Sequence, residues 1–223
     1  MLFALGTPVA FVALVVSFLS GVMLRAVAIR FTARVVGLAE RNEPLAPSLR
    51  HDIDPFGAVG AALGGMGWGK TLTVDDVQRW RGRGRAAAVF AAGPVACILA
   101  GELLVAAFAL STPDASVFQY LTVGMVLHGV SGSVIAEILL PFGVGLLAFG
   151  LLALVPIPPL DGFGIMYNAL RKPGPGMQWM RLWFEDKNIG VVLLLVFSLF
   201  PTGYPGILLI LDILGNFFLR IWG

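Results

Sequence analysis

Four apolar stretches separated by polar segments dominate the sequence and predict an all-helical protein that crosses a membrane several times. The first stretch, residues 2–24, has 23 positions and no charged side chain. About 20 apolar residues in a helix cross the hydrocarbon layer of a bilayer, so this stretch is long enough to span it. It has neither a basic start nor a small-residue cleavage site, and we expect it to be a retained span rather than a signal peptide. Residues 86–110 predict a second span.

The third and fourth stretches are interrupted. Residues 117–155 are too many for one straight helix and contain glycine and proline, so they predict a short helix near 117–130 and a span at 134–154. The fourth stretch, 189–219, is broken at 201–206, which predicts either one kinked span or two half-spans. We therefore expect about four spans in a single integral membrane domain that covers the whole chain.

Composition supports this class. Of the 223 residues, 58% are hydrophobic and 13% are charged, and the mean hydropathy is +0.90, which excludes an ordinary soluble domain. The single cysteine, Cys97, excludes an intrachain disulfide.

The basic residues predict the orientation in the membrane. Ten of the 15 lysines and arginines lie between Arg25 and Arg85, and four more lie between Arg171 and Lys187. Cytoplasmic loops retain an excess of positive charge, so we expect loops 25–85 and 155–188 to face the cytoplasm and residues 111–116 to form an outer loop.

A cluster of arginines precedes the second span and predicts contact with anionic lipid headgroups, which also orients the protein. This explanation accounts for the net charge of +2, and we expect no nucleic-acid partner. The cluster consists of Arg79, Arg81, Arg83 and Arg85.

Two segments at the cytoplasmic ends of the spans have unusual backbone chemistry. Residues 51–70 are rich in glycine and too short to cross a bilayer, which predicts a re-entrant or interfacial segment followed by an extended stretch at 70–74. Residues 154–164, LVPIPPLDGFG, place three prolines before Asp161, and the prolines exclude a continuous helix there. Broken backbone at membrane depth must pack against protein, so we expect these two segments to be neighbours.

Four motifs in order, HDIDPFG (51–57), GMGWGK (65–70), FAAGPVACILAG (90–101) and VPIPPLDGFGI (155–165), resemble the prokaryotic site-2 protease family of intramembrane zinc metalloproteases. The resemblance runs from the first span to about Leu170. It implies a compact helical core, a location in the inner membrane of a prokaryote, and a zinc ligand at Asp161. It also implies two histidine ligands and a catalytic glutamate in an H-E-x-x-H helix at the end of the first span.

That helix departs from the family pattern at every catalytic position. Residues 24–30 read LRAVAIR, so Arg25 replaces the first histidine, Ala26 replaces the glutamate and Ile29 replaces the second histidine. Cys97 and Ala153 also stand where the family usually has asparagine. Because a catalytic zinc takes about three protein ligands and a base must activate water, we expect no catalytic residue, no bound metal and no cofactor.

With zinc lost, Asp161 has two remaining roles. It could accept backbone N–H bonds at the start of the following helix, or pair with Arg25; we predict the pair, because the resemblance places both positions at one ion.

Other ionisable groups near the spans have no assigned role. We interpret His51 as a turn residue and His128 as a packing or partner-contact residue rather than as metal ligands. Glu102 and Glu137, which lie in spans, leave a proton path open as an alternative.

Three hypotheses for the function follow. The first is a catalytically inactive, site-2-protease-like subunit with a structural or assembly role in a larger membrane protein complex, in contact with lipids and other integral membrane subunits. The second is a pseudoprotease that binds or regulates a transmembrane client. The third is an active hydrolase, namely an intramembrane metalloprotease with non-standard ligands, or an ion-conducting protein that uses other groups.

Overall fold

The computed structural model describes residues 1–39, 44–112, 116–199 and 204–223. These residues form helices and connecting segments, and the only β-type pairing among them is an isolated bridge between Ile53 and Gly69. The expected all-helical class is therefore confirmed. In chain order the α-helices are α1 (Pro8–Val35), α2 (Leu49–Asp52), α3 (Pro55–Gly64), α4 (Arg83–Ser111), α5 (Val117–Tyr120), α6 (Val123–His128), α7 (Val134–Ala153), α8 (Asp161–Ala169), α9 (Pro175–Met180), α10 (Ile189–Leu199) and α11 (Gly206–Leu219).

Within the described residues, three helices are long and apolar enough to cross a membrane: α1, α4 and α7. They pack against one another as a bundle, and α4 and α7 share the most extensive contact. A Cβ atom on Gly101 would lie 2.5 Å from the backbone nitrogen of Leu147, and one on Gly143 would lie 3.1 Å from that of Val105. Small residues let helix backbones touch in this way, which is how apolar helices gain packing energy inside a membrane.

The first span differs from its predicted limits of 2–24. A 3₁₀ helix occupies Leu2–Gly6, and α1 then begins at Pro8, whose fixed φ suits the first turn, and continues to Val35. The arginines that ended the predicted span do not interrupt a helix. The chain turns only near Gly37, which has φ +74°. The first eleven residues of the loop predicted at 25–85 are therefore helical.

The remaining predicted elements lie close to the observed ones. The α4 and α7 helices agree with the predicted spans to within three residues at each end. The fourth stretch forms two helices of 11 and 14 residues, α10 and α11, each too short to cross a bilayer alone, which fits two half-spans rather than one kinked span. Residues 201–203 of its predicted break, and 113–115 of the predicted outer loop, lie outside the described residues.

Residues 53–70 fold back on themselves as a hairpin that packs against α10. We call it the re-entrant hairpin after the sequence prediction, and its entry into a membrane stays a prediction. The Asp54 side chain accepts hydrogen bonds from the first turn of α3, and Gly65, at φ +87°, ends that helix and reverses the chain. The returning segment runs so close to α3 that a Cβ atom on Gly57 would lie 2.0 Å from the carbonyl oxygen of Trp68. The glycines of this segment therefore permit two backbones to touch, and the Ile53–Gly69 bridge closes its mouth.

Candidate functional site: a buried arginine–aspartate pair

Arg25 lies on the face of α1 that packs against α4. Its aliphatic stem passes over Gly93, where a Cβ atom would lie 2.5 Å from the Cγ atom of Arg25. A larger residue at position 93 would displace this stem. The side chain of Arg25 is only 10% exposed, and its charged end lies inside the bundle beside the start of α8.

The guanidinium of Arg25 meets the carboxylate of Asp161 through two parallel hydrogen bonds. Nε donates to Oδ2 at 2.6 Å and Nη2 donates to Oδ1 at 2.5 Å. The Asp161 side chain has no exposed surface. Two-point contact between arginine and a carboxylate is the strong, geometrically specific form of this interaction. Because the guanidinium binds both carboxylate oxygens, the ion pair explains why a carboxylate stands at position 161. The alternative, that Asp161 accepts backbone N–H bonds at the start of α8, is not needed.

The third donor of Arg25 connects the pair to the re-entrant hairpin. Nη1 donates to the carbonyl oxygen of Lys70 at 2.8 Å, and the backbone N–H of Lys70 donates to the carbonyl oxygen of Asp52 at 2.8 Å. Five residues further along α1, Arg30 donates to the Asp52 carboxylate at 2.5 Å. Two arginines of α1 therefore bind the mouth of the hairpin. Trp68 and Gly69 of the hairpin line one cavity with Pro159 and Asp161, so the hairpin and the PIPPLDG break are neighbours, as expected.

The residues around Asp161 do not fit a zinc ion. Ala26 and Ile29 carry no donor atom, and both oxygens of the carboxylate face a cation already. Among the described residues, no group of three or more histidine, cysteine, aspartate or glutamate side chains is arranged to hold a metal. A catalytic zinc needs about three protein ligands, and this site offers one carboxylate that is already paired.

The space beside the pair is small. A cavity of about 10 Å³ is lined by Arg25, Trp68, Phe149 and Asp161 among others, which leaves room for about one water molecule. The indole N–H of Trp68 is buried and has no hydrogen-bond partner among the described residues. A polypeptide backbone could not enter this space without separating the pair.

A larger cavity, of about 460 Å³, is also lined by Arg25. Ala26 and Ile29, the other two positions that the resemblance compares with the zinc motif, line it as well, together with Arg30 and Lys70. These positions thus face a cavity that is partly polar, while the guanidinium of Arg25 binds Asp161.

The arginines predicted to contact lipid divide into two kinds. Arg79 stacks over the ring of Tyr167, 5.2 Å from its centroid, and donates to the carbonyl oxygen of Leu170 at 2.5 Å, so it binds the protein itself. Arg81, Arg83 and Arg85 are exposed where α4 begins, and Arg81 makes one long hydrogen bond, 3.4 Å, to the carbonyl oxygen of Gly37. A lipid contact stays a prediction for these three.

The two histidines have different surroundings. His51 is exposed in α2. The Nδ1 atom of His128 lies 2.7 Å from the carbonyl oxygen of Gly124, and its ring stacks on Tyr204 and contacts Phe3. His128 is therefore packed by aromatic rings and satisfied by backbone, as its interpretation as a packing residue requires.

Each of the two glutamates in the predicted spans accepts a hydrogen bond from a different group of the protein. Trp222 donates from its indole nitrogen to Glu102 at 3.0 Å, and the backbone N–H of Gly132 donates to Glu137 at 3.2 Å near the start of α7. These contacts give each carboxylate a structural partner and lend no support to a proton path.

Sequence reasoning missed two carboxylates that the fold engages. Asp52, which pairs with Arg30, is separated from it by 22 positions. Glu185 is buried and accepts a hydrogen bond from the backbone N–H of Val74 at 2.5 Å, and burial raises the pKa of this carboxyl. The charge of each residue was visible in the sequence, but nothing local indicated its partner.

Comparisons of the chain with protein-family models, with curated proteins and with solved structures find no match in any of the three. The likeness to site-2 proteases thus rests on the motifs alone, and the chemistry of the site carries the argument about function.

Proposed function

We propose that this chain is a catalytically inactive, site-2-protease-like membrane protein that serves as a structural or assembly subunit of a larger membrane protein complex. One observation carries the proposal: the guanidinium of Arg25 engages both oxygens of Asp161. Ala26 lies beside this pair and cannot activate water. The site therefore contains an ion pair that links segments of the protein, and it lacks the general base that hydrolysis requires.

The pair supports a structural role because it joins three parts of the chain. Arg25 belongs to α1, Asp161 begins α8, and Lys70 ends the re-entrant hairpin. A metal at this place would require ligands that deprotonate, whereas a guanidinium is always charged and presents fixed donors. The arrangement holds its geometry without a cofactor.

The lipid-facing surface offers room for neighbouring subunits. Along one side of α4, Leu99, Leu103 and Leu110 are 59%, 72% and 88% exposed. Inside a membrane, such a surface is covered by lipid or by another helix. This surface supports a subunit role, since helices of other chains can pack on it without disturbing the buried pair.

A second candidate function, the binding of a transmembrane client, is favoured by a groove along α1. An open groove of about 860 Å³ is lined by Leu19, Met23 and Val27 on one wall and by Leu49 on the other. Its walls are mainly apolar, and an apolar segment of another chain would lose little by lying in it. The client would bind beside the Arg25–Asp161 pair and not at it.

Purification in mild detergent separates the two functions. A subunit should retain its partners at fixed stoichiometry through extended washing, measured by quantitative mass spectrometry. A client should dissociate and exchange with added competitor. Recovery of the chain as a lone, stable monomer under the mildest conditions would contradict the subunit proposal.

A pair of variants tests the groove directly. Met23→Trp fills the groove, whereas Val12→Trp places the same ring on α1 at a site that is 58% exposed and outside the groove. If the groove holds a client, only Met23→Trp should reduce its recovery, by about tenfold for a loss of about 1.4 kcal/mol. Equal recovery of the client with both variants would exclude the groove as its binding site.

The metal content provides an independent test of inactivity. We expect purified protein to contain no stoichiometric zinc, because Arg25, Ala26 and Ile29 offer no ligand. Elemental analysis after purification without chelator measures this. About one zinc per chain that disappears in Asp161→Ala would restore the third hypothesis, an active metalloprotease with non-standard ligands.

A further inference from the structure

Three of the five tryptophans are exposed at one end of the helix bundle, the end at which α4 begins. Trp80 is 79% exposed, Trp179 is 55% exposed and Trp183 is 37% exposed. Trp68, by contrast, is 3% exposed inside the re-entrant hairpin. Large aromatic side chains in contact with water need an explanation when they cluster at one end of a membrane protein.

Two of these tryptophans belong to a helical segment with two distinct faces. The segment consists of α9 and a π-helical turn, Arg181–Asp186. Its inner face packs Met177 and Met180 on the hydrophobic cluster formed by α8 and the loop before α4. Its outer face carries Trp179, Leu182 and Trp183, which we call the tryptophan ridge. Spacing of three and four residues places these side chains side by side on one helix face.

Contacts with the loop before α4 fix the position of the ridge along the axis of the helix bundle. Arg181 pairs with Asp75 and lies 6.0 Å from the ring centroid of Tyr167, over which Arg79 also stacks. Arg79 precedes the first residue of α4 by four positions, and the segment itself ends three residues before α10 begins. The ridge therefore lies where two apolar helices begin. One of them, α4, is long enough to cross a membrane, and the ends of such a helix are where a membrane–water interface is expected.

The charged residues near the ridge complement an anionic surface. The ammonium of Lys187 lies 3.9 Å from the ring centroid of Trp183, and Arg81 lies 4.9 Å from that of Trp80. Arg171 and Lys172, which precede the segment, are exposed. Tryptophan concentrates at membrane interfaces because its ring is apolar while its N–H is polar, and neighbouring cations add attraction to anionic headgroups.

We propose that residues 175–187 lie in the plane of the membrane at this end of the bundle and that the tryptophan ridge inserts into a headgroup layer rich in anionic phospholipid. The segment has the features of an interfacial helix: aromatic and leucine side chains on one face, flanking lysine and arginine, and a position beside the points where the chain enters the bilayer. The inference does not depend on the proposed function, since it holds whether the chain is a subunit or binds a client.

Fluorescence quenching by lipids in reconstituted full-length protein tests this. The background variant has Trp80, Trp179 and Trp222 replaced by phenylalanine, which keeps the buried Trp68 and the reporter Trp183. A further Trp183→Phe variant gives the signal of Trp68 alone, and the difference belongs to Trp183. Nanodiscs contain phosphatidylcholine and phosphatidylglycerol, with a nitroxide on either lipid, placed near the headgroup or near the chain terminus.

We expect the nitroxide near the headgroup to quench Trp183 about twofold more than the one near the chain terminus. We also expect a nitroxide attached to phosphatidylglycerol to quench Trp183 more than the same nitroxide attached to phosphatidylcholine. Replacing both lysines, Lys172→Gln and Lys187→Gln, should remove that difference. Quenching of Trp183 by aqueous acrylamide but by neither lipid label would overturn the proposal and leave the ridge free for a soluble protein partner. Equal quenching by labels on the two lipids would overturn the anionic preference. Unchanged fluorescence from Trp68 shows that the variants are folded.

Discussion

Removing either member of the Arg25–Asp161 pair should destabilise the protein far more than removing both. The variants are Arg25→Met, Asp161→Leu and the double replacement. Methionine keeps an unbranched stem against Gly93, where space is limiting, and leucine approximates the shape of aspartate. Each single replacement leaves a buried charge without its partner, whereas the double replacement leaves two apolar side chains.

The structure sets the magnitude. The Arg25 side chain is 10% exposed and that of Asp161 is 0% exposed, so water does little to screen the pair. At an effective dielectric constant of about 20, two charges about 4 Å apart attract by about 4 kcal/mol, and breaking a buried pair costs about 3 to 5 kcal/mol. The double variant also loses the hydrogen bond to Lys70, which is worth about 1 kcal/mol. We expect the double variant to be destabilised by about 1 to 2 kcal/mol.

Thermal unfolding in mild detergent, followed by intrinsic fluorescence, measures these differences in stability. Arg83→Met is the matched control, because it makes the same chemical change at an exposed position and should alter stability by about 0.5 kcal/mol or less. If the effects of the single replacements simply add in the double variant, then the two residues do not stabilise each other and the reasoning fails.

Three further predictions concern the hairpin, the orientation and the π-helical turn that follows α9. Gly57→Ala should destabilise the protein by about 3 kcal/mol because its Cβ atom would meet a backbone oxygen at 2.0 Å. Gly84→Ala, in the first turn of α4 with nothing within 4 Å, should be neutral or slightly stabilising, and equal melting temperatures for the two variants would contradict this. Cysteines introduced at Ser48 and Ser116, with the native cysteine replaced by alanine, should be labelled from opposite sides of the membrane, and labelling of both from one side would refute the orientation. Burial raises the pKa of the Glu185 carboxyl in the folded protein. The native protein therefore loses stability as the pH rises from about 4.3, the ordinary pKa of glutamate, through the raised value. Glu185→Gln, which cannot ionise, should have a higher melting temperature than the native protein at neutral pH. The difference should disappear near pH 4, and a constant difference at every pH would contradict the assignment.

Much of the class could be predicted from the sequence because hydropathy and backbone chemistry are local properties. The apolar stretches at 86–110 and 134–154 correspond to α4 and α7, since about 20 apolar residues can satisfy their backbone in a bilayer only as a helix. The break before Asp161 follows from its prolines. The absence of donor atoms at Ala26 and Ile29 is also a fact of the chain and needs no coordinates.

The limits of α1 show where local reasoning fails. Charge at Arg25 ended the predicted span, yet the helix continues to Val35, because hydropathy reports where a helix leaves the hydrocarbon and not where it stops. The chain ends that helix with a conformational signal near Gly37, which hydropathy does not register.

The site itself depends on tertiary structure. Hydropathy could not connect Arg25 with Asp161, which lie 136 positions apart; the expectation came from a family resemblance, and the hydrogen-bond geometry came from the fold. The Arg30–Asp52 pair and the contact of Glu185 with Val74 had no such guide. Composition and local backbone preference are properties of each segment, whereas the partner of a buried charge is decided by which segments pack together, and packing depends on the shape of the whole chain.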